Sequence, residues 1–250
     1  MIRRTWLFAG RTMKEEARDP TNLFFALAFP VLLLWMMHTI DNAIPEGGAS
    51  KALMAIDSLA PGIVSFATVF MALFTGMVLA RDRESAFLTR LFASPMGAGE
   101  FLAGYTLPML AIALVQAAIT FLVSMAMGLR AGWSILAACL LTVPTALMYV
   151  AVGLLAGSLM SANAVGGVCG AVLTLLAGWC SGVWMPIELL GDGFRRVCDV
   201  LPFLHAAKMT EACLHGAWNE VWPNLWPVLT WAIVLYAIAT MVFAHAKRDR

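Results

Sequence analysis

The stretch R-D-R-E-S-A-F-L-T-R-L-F-A-S-P, residues 81–95, is the densest internal run of charge in a chain of 250 residues that is 61% apolar and only 12% charged. It sits between two long apolar runs, about 59–80 and 101–127. Phe87, Leu88, Leu91 and Phe92 share one side of a helical wheel, while Arg83 and Arg90 lie close together on another. Ser94-Pro95 ends that helix, because a residue before proline is pushed out of the helical region. The segment reads as a short amphipathic helix on a membrane surface.

Composition requires the membrane. A soluble surface is roughly a quarter charged, and 16 basic plus 15 acidic residues cannot cover one for a chain of this length. Six apolar segments can be bounded by charge or turn residues, at about 23–40, 59–80, 101–127, 133–159, 164–187 and 225–244. A hydrocarbon layer of about 30 Å needs about 20 helical residues, so all six qualify, the first only marginally. The runs are continuous and lack the alternation of a membrane barrel, which leaves helices as the spanning form. The fold class is therefore an all-α integral membrane protein with six spans, a single domain over residues 1–250. Pro108 and Pro144 lie inside the third and fourth segments and predict local kinks.

Residues 1–20 are not a signal peptide, because their charges continue to Asp19 and the following apolar stretch is long enough to span. Ile2, Trp6, Ala9, Met13 and Ala17 share one face, opposite Arg3, Arg4, Arg11, Lys14 and Arg18. That pattern predicts an amphipathic helix in the headgroup plane, stopped by Pro20. With the N-terminus in the cytoplasm, these arginines and lysine fall inside together with Arg81, Arg83, Arg90, Lys247, Arg248 and Arg250. Only Lys51, Arg130, Arg195, Arg196 and Lys208 fall outside. Six spans with both termini cytoplasmic is the consistent solution. Residues 188–224 form the longest stretch between spans, mixing leucines and phenylalanines with charge. They predict one or two short helices that dip into the outer leaflet, against the alternative of an ordinary loop.

Several function classes lose support. No broad basic face exists for nucleic acid. The 5 cysteines lack C-x-x-C or zinc-ligand spacing. They read as small fillers, with a Cys198–Cys213 bond as the alternative. His205, Glu211 and His215 are not at metal-ligand spacing, and no nucleophile–base constellation stands out, so no catalytic, cofactor-binding or metal residues are assigned. No G-x-x-x-x-G-K-[ST] is present to cradle nucleotide phosphates. An ion-gradient-driven secondary transporter, a structural membrane protein and a membrane-embedded enzyme remain rivals. The first is disfavoured because no acid lies deep in a span. Gly153/Gly157, Gly166/Gly170 and Gly178/Gly182 each make a G-x-x-x-G, suited to close helix packing within a subunit or at a seam between subunits.

The order of elements resembles the membrane (permease) subunit of ABC-2-type exporters, most like the bacterial drug, antibiotic or nodulation-factor exporter permeases. The resemblance rests on residues 81–95, on S-G-V-W-M-P-I-E-L-L at 181–190 and on L-P-F-L-H-A-A-K-M-T-E-A at 201–212. Their order and spacing extend over nearly the whole chain. It implies a coupling helix at 81–99 that docks on a separate ABC ATP-binding subunit, present in two copies, which binds the ATP and Mg. Arg81, Asp82, Arg83, Glu84, Phe87, Leu88, Arg90 and Leu91 would make that contact, with Glu100 capping the next helix or pairing with the segment. It implies a second permease subunit, as a homodimer, in the bacterial inner membrane. The transport path would run between the copies, lined by parts of the second and fifth spans, for which Phe66, Phe70, Phe74, Leu175, Trp179 and Val183 are candidates. Their apolar character suits a hydrophobic or amphiphilic cargo.

Overall fold

A computed structural model describes residues 2–43, 55–85, 87, 96–130, 132–184, 187 and 190–248. Among the described residues all regular structure is helical. The helices are α1 (Ile2–Glu16), α2 (Pro20–Asp41), α3 (Ile56–Glu84), α4 (Ala98–Ala126), α5 (Trp133–Leu159), α6 (Ala162–Cys180), α7 (Asp192–Val200), α8 (Pro202–Leu214) and α9 (Trp218–Arg248). Six of them, α2 to α6 and α9, are long and apolar enough to cross a membrane. The chain is an all-α, six-span membrane protein. Its charged end carries α1, the end of α3 and the start of α4, and the other end carries α7 and α8.

The hub is α3. In it 89% of the apolar window is buried, against 22–44% for the other five spans. In lipid nothing apolar is gained by hiding leucine from hydrocarbon, so close association depends on small residues that let backbones touch. An added Cβ on Gly157 would lie 2.5 Å from the Gly76 carbonyl oxygen, and one on Gly76 would lie 2.8 Å from Val165 Cγ1. One on Gly153 would run into the Ala72 backbone. These contacts join α3 to α5 and α6 within one chain. An added Cβ on Gly166 meets nothing within 4 Å, and one on Gly170 reaches only the end of Leu73, at 3.5 Å.

Among the described residues, regular winding fails within three of the spans. In α2 the residues Phe24–Ala28 form a π turn, just before Pro30, whose ring and missing N–H disturb the Ala26 carbonyl. In α3 the helix tightens at Thr68–Val69, where Val69 N bonds Phe66 O at 2.9 Å and the Thr68 hydroxyl bonds Val64 O at 2.8 Å. In α6 the residues Val168–Leu173 make a second π turn. By contrast α4 and α5 continue as helix through Pro108 and Pro144.

The fifth span closes at Cys180 instead of running on to 187. Ser181 and Gly182 turn the chain there, with Gly182 at φ 79, a conformation that favours glycine. Gly178 and Gly182 therefore share no helix face, contrary to their spacing. Gly178 serves a local purpose, because a side chain there would collide with the Trp184 indole. The last span starts at Trp218 instead of near Leu225, and its exposed Trp218, Trp222 and Trp226, with Trp133 of α5, ring the end opposite the charges.

Helix α8 packs inward against the spans. Ser65 Oγ donates to the Ala206 carbonyl at 3.1 Å and lies 3.2 Å from the Thr210 hydroxyl, and Phe203 stacks on Tyr149 at 5.9 Å. His205 holds this unit to the start of α9 and the end of α7, through Asn224 at 2.8 Å and the Asp199 carbonyl at 2.9 Å.

These packings set a paired expectation. Gly157→Val forces α3 and α5 apart and lowers stability by about 3 kcal/mol or more. Gly166→Ala, inside a helix and open on its side, keeps stability or raises it by up to about 1 kcal/mol. Thermal unfolding of both variants in detergent or nanodiscs checks the contrast.

Candidate functional site

The charged end is organised around one buried carboxylate. Asp82, only 3% exposed, sits in the last turn of α3. Arg11 of α1 grips it with both guanidinium nitrogens, Nη1 to Oδ2 at 2.5 Å and Nη2 to Oδ1 at 2.8 Å. The Tyr105 hydroxyl of α4 donates to the same Oδ2 at 2.7 Å. Three elements thus meet on two oxygen atoms. The fork geometry is specific to arginine and adds direction to the Coulomb attraction. The Asp82 hydrogen bond raises the Arg11 pKa further, so the guanidinium stays charged despite its partial burial.

Apolar contacts fix the same geometry. The Phe8 ring meets Phe101 at 5.8 Å and Tyr105 at 4.9 Å, both edge-on, and fills the notch left by Gly104. The Arg11 guanidinium lies 4.2 Å from the Phe87 ring centroid and pairs with Glu15 at 2.9 Å. The packed face of α1 is Phe8, Ala9, Thr12 and Glu16, whereas Trp6 is exposed. This corrects the helical-wheel reading of α1. Arg11 belongs to the docked side instead of the basic face, because the Gly104 notch and the Asp82 carboxylate draw that side of the helix onto α4.

The residues grouped in the sequence as one contact surface point in different directions. Arg81 is exposed and lies 3.9 Å from Asp19, Asp82 turns into the knot, and Phe87 lies under Arg11. Arg83 turns toward the α5–α6 junction, donating to the Ser158 carbonyl and, at 2.6 Å, to the Met160 carbonyl. Glu84 accepts from the Ala162 amide at 2.9 Å. Glu100 caps α4 by accepting from the Gly97 amide at 2.8 Å. Leu88, Arg90 and Leu91 lie outside the described residues, as do residue 86 and the rest of 88–95 in the expected coupling helix.

The aromatic residues expected along a path separate into two groups. Phe66, Phe70 and Phe74 are 1%, 4% and 1% exposed in the single chain. Phe70 packs on Phe25 at 5.2 Å, Phe29 at 5.5 Å and Phe74 at 6.3 Å, and Phe66 meets Trp184 at 5.9 Å. In this conformation they are core, filling the space between α2 and α3 and below Trp184. Val183 is half-buried against Gly62. Leu175 and Trp179 do face outward. All 5 cysteines are free, Cys198 and Cys213 included, and no cluster that could hold a metal occurs among the described residues.

Two participants went unread in the sequence, Tyr105 and Glu16. The only available signal was polarity at helix ends, which many interfacial residues share. Glu16 is 2% exposed, accepts from Asn22 Nδ2 at 2.8 Å on one oxygen, and has no partner on the other. Burial, reinforced by the nearby charges of Glu15 and Asp19, pushes its pKa up from 4.5 to about 7, although the Asn22 bond and Arg81 pull it down.

The folded state therefore holds the Glu16 proton more tightly than the unfolded chain. Its contribution is fully favourable below about pH 4.5, fades as pH rises, and has gone above about 7, a swing on the order of 3 kcal/mol. Glu16→Gln should flatten that part of the stability–pH curve and stabilise the protein most above pH 7, read by thermal unfolding between pH 5 and 8. At the knot, Asp82→Asn removes the carboxylate that the Arg11 fork and the Tyr105 hydroxyl share, and leaves Arg11 only the half-exposed Glu15. We expect a loss of about 3 kcal/mol, with faster hydrogen exchange confined first to α1. Wild-type exchange in α1 would show that the knot does not hold that helix.

Comparison with known proteins places these features in a family. The ABC-2 type transporter family model matches residues 3–214, which include α1, the knot and α8. The chain is similar to ABC transporter G family member 20 of Dictyostelium discoideum, 29% identical over 222 residues, covering 86% of this chain and 30% of that protein. It is also similar to the probable multidrug ABC transporter permease YbhR of Escherichia coli, 26% identical over 183 residues, covering 70% of this chain and 50% of that one. The chain thus spans half or less of the length of these relatives. A six-span helical bundle whose first helix is knotted to the end of its second span, matched over residues 3–214, belongs to the ABC-2 type transporter family.

Proposed function

We propose that the chain is the permease subunit of an ATP-driven ABC exporter, moving a hydrophobic or amphiphilic cargo by alternating access across a bacterial inner membrane. A separate ATP-binding subunit, in two copies, supplies the hydrolysis, and a second copy of this chain completes the path. One observation carries this reading. The Arg11–Asp82–Tyr105 knot stands where residues 81–95 leave α3, so a push on that segment meets three joined helices instead of a loose loop. Phe87, Leu88, Arg90 and Leu91 are the docking residues in this reading, and Arg81 and Asp82 anchor them.

Orientation follows the basic residues, with both termini and the charged end in the cytoplasm. The α7–α8 unit is then external. Ser65 stands about 14 Å along α3 from its Ile56 end at 1.5 Å per residue, and α8 reaches it. That depth supports a partly re-entrant segment. Outward-facing Leu175 and Trp179 on α6 are the best-placed apolar surface for a cargo path between copies.

The reading is tested by purifying the tagged chain from its native membrane. We expect an ATPase to accompany it, vanadate-sensitive transport in vesicles, and crosslinks from Phe87→Cys to that ATPase. Transport driven by an ion gradient with no ATPase bound would replace this function with secondary transport.

A further inference from the structure

Arg83 and Glu84 are neighbours in sequence and opposite in charge, and both reach across to the same short junction. Helix α5 ends at Leu159 and α6 begins at Ala162. Arg83 donates to the carbonyls of Ser158 and Met160, at the negative C-terminal end of α5. Glu84 accepts from the amide of Ala162, at the positive N-terminal end of α6. Each charge thus meets the end of the helix dipole that it complements.

The rest of α6 is held lightly. Only 28% of its apolar window is buried, Val172, Leu175, Leu176 and Trp179 are exposed, and Gly166 leaves open space. Its π turn at Val168–Leu173 is a place where winding can change without breaking the helix. Along its length α6 touches α3 through apolar groups, with Val165 against Gly76 and Gly170 beside Leu73.

We infer that Arg83 and Glu84 form a charge clamp that passes displacement of the 81–95 segment to the start of α6. They are positioning residues for transport, acting through α6 without touching ATPase or cargo. The clamp pulls the Ala162 end, the π turn takes up the bend, and the outward face bearing Leu175 and Trp179 rotates. The inference rests on the exporter reading above, since it needs an ATPase to move residues 81–95.

The test uses the full complex of this chain with its ATPase in nanodiscs. Val172→Cys, in a Cys139→Ala background, carries an environment-sensitive fluorophore. ATP hydrolysis and the fluorescence shift on ATP–vanadate trapping are read on the same sample. The parent should hydrolyse ATP and shift. Arg83→Met/Glu84→Ala should keep hydrolysing but lose the shift, and Arg83→Lys, which keeps the charge at the α5 end, should restore much of it. If the double variant does not assemble, Glu84→Gln alone should weaken the shift. A full shift in the clamp variants that assemble, or no shift in a parent that hydrolyses ATP, overturns the clamp. A parent that retains no ATPase overturns the exporter reading first, and the hydrolysis measurement identifies that case.

Discussion

A carboxylate taken out of water is stable only when opposite charge and hydrogen bonds replace its hydration. Asp82 meets that demand with partners from α1 and α4, which are remote in sequence. The requirement is directional, because the guanidinium fork and the phenol must both reach the same pair of oxygens. Satisfying it fixes the rotation of α1, the end of α3 and the start of α4 together. Phe8 in the Gly104 notch could tolerate some rolling of α1, but the fork cannot. Hydrophobic contact alone would leave that helix free to turn at the interface.

Deeper in the bundle the organising force changes. With lipid as apolar as leucine, α3 is held by surface fit, with Gly76, Gly153 and Gly157 allowing backbones to approach. Thr106 and Tyr236, 3.0 Å apart, add one polar link between α4 and α9. The bundle is therefore pinned by charge at one end, by the α8 hydrogen bonds to Ser65 near the other, and by fit between them.

What the sequence revealed and what it withheld divide along physical lines. Six spans were legible because hydropathy over about 20 residues reports the solvent directly. Glu100 as a cap was legible because capping is local. Arg11 was misplaced because a helical wheel shows where charge clusters, and the docking face was chosen by Gly104, a glycine far along the chain. Phe66, Phe70 and Phe74 have the spacing of a lining and are buried within the single chain, since periodicity does not distinguish a wall facing a cavity from one facing a neighbour. The π turn in α6 left no pattern, the one in α2 only a nearby Pro30, and Pro108 and Pro144, the residues that did suggest irregularity, sit in continuous helix. Membrane helices tolerate proline where neighbours and side-chain hydroxyls satisfy the freed groups.

The near-complete enclosure of α3 also bears on how the protein is made. Its mean hydropathy of 2.2 matches that of α4 and α5, which keep much of their surface open. A helix that will touch almost no lipid when mature is still written in lipid-soluble residues. It must leave the insertion machinery and wait in the bilayer until α5, much later in the chain, is synthesised and can cover it. Its oiliness serves delivery first and assembly second, which explains why its contact face is lined with glycine and alanine while its bulk remains that of a free-standing span.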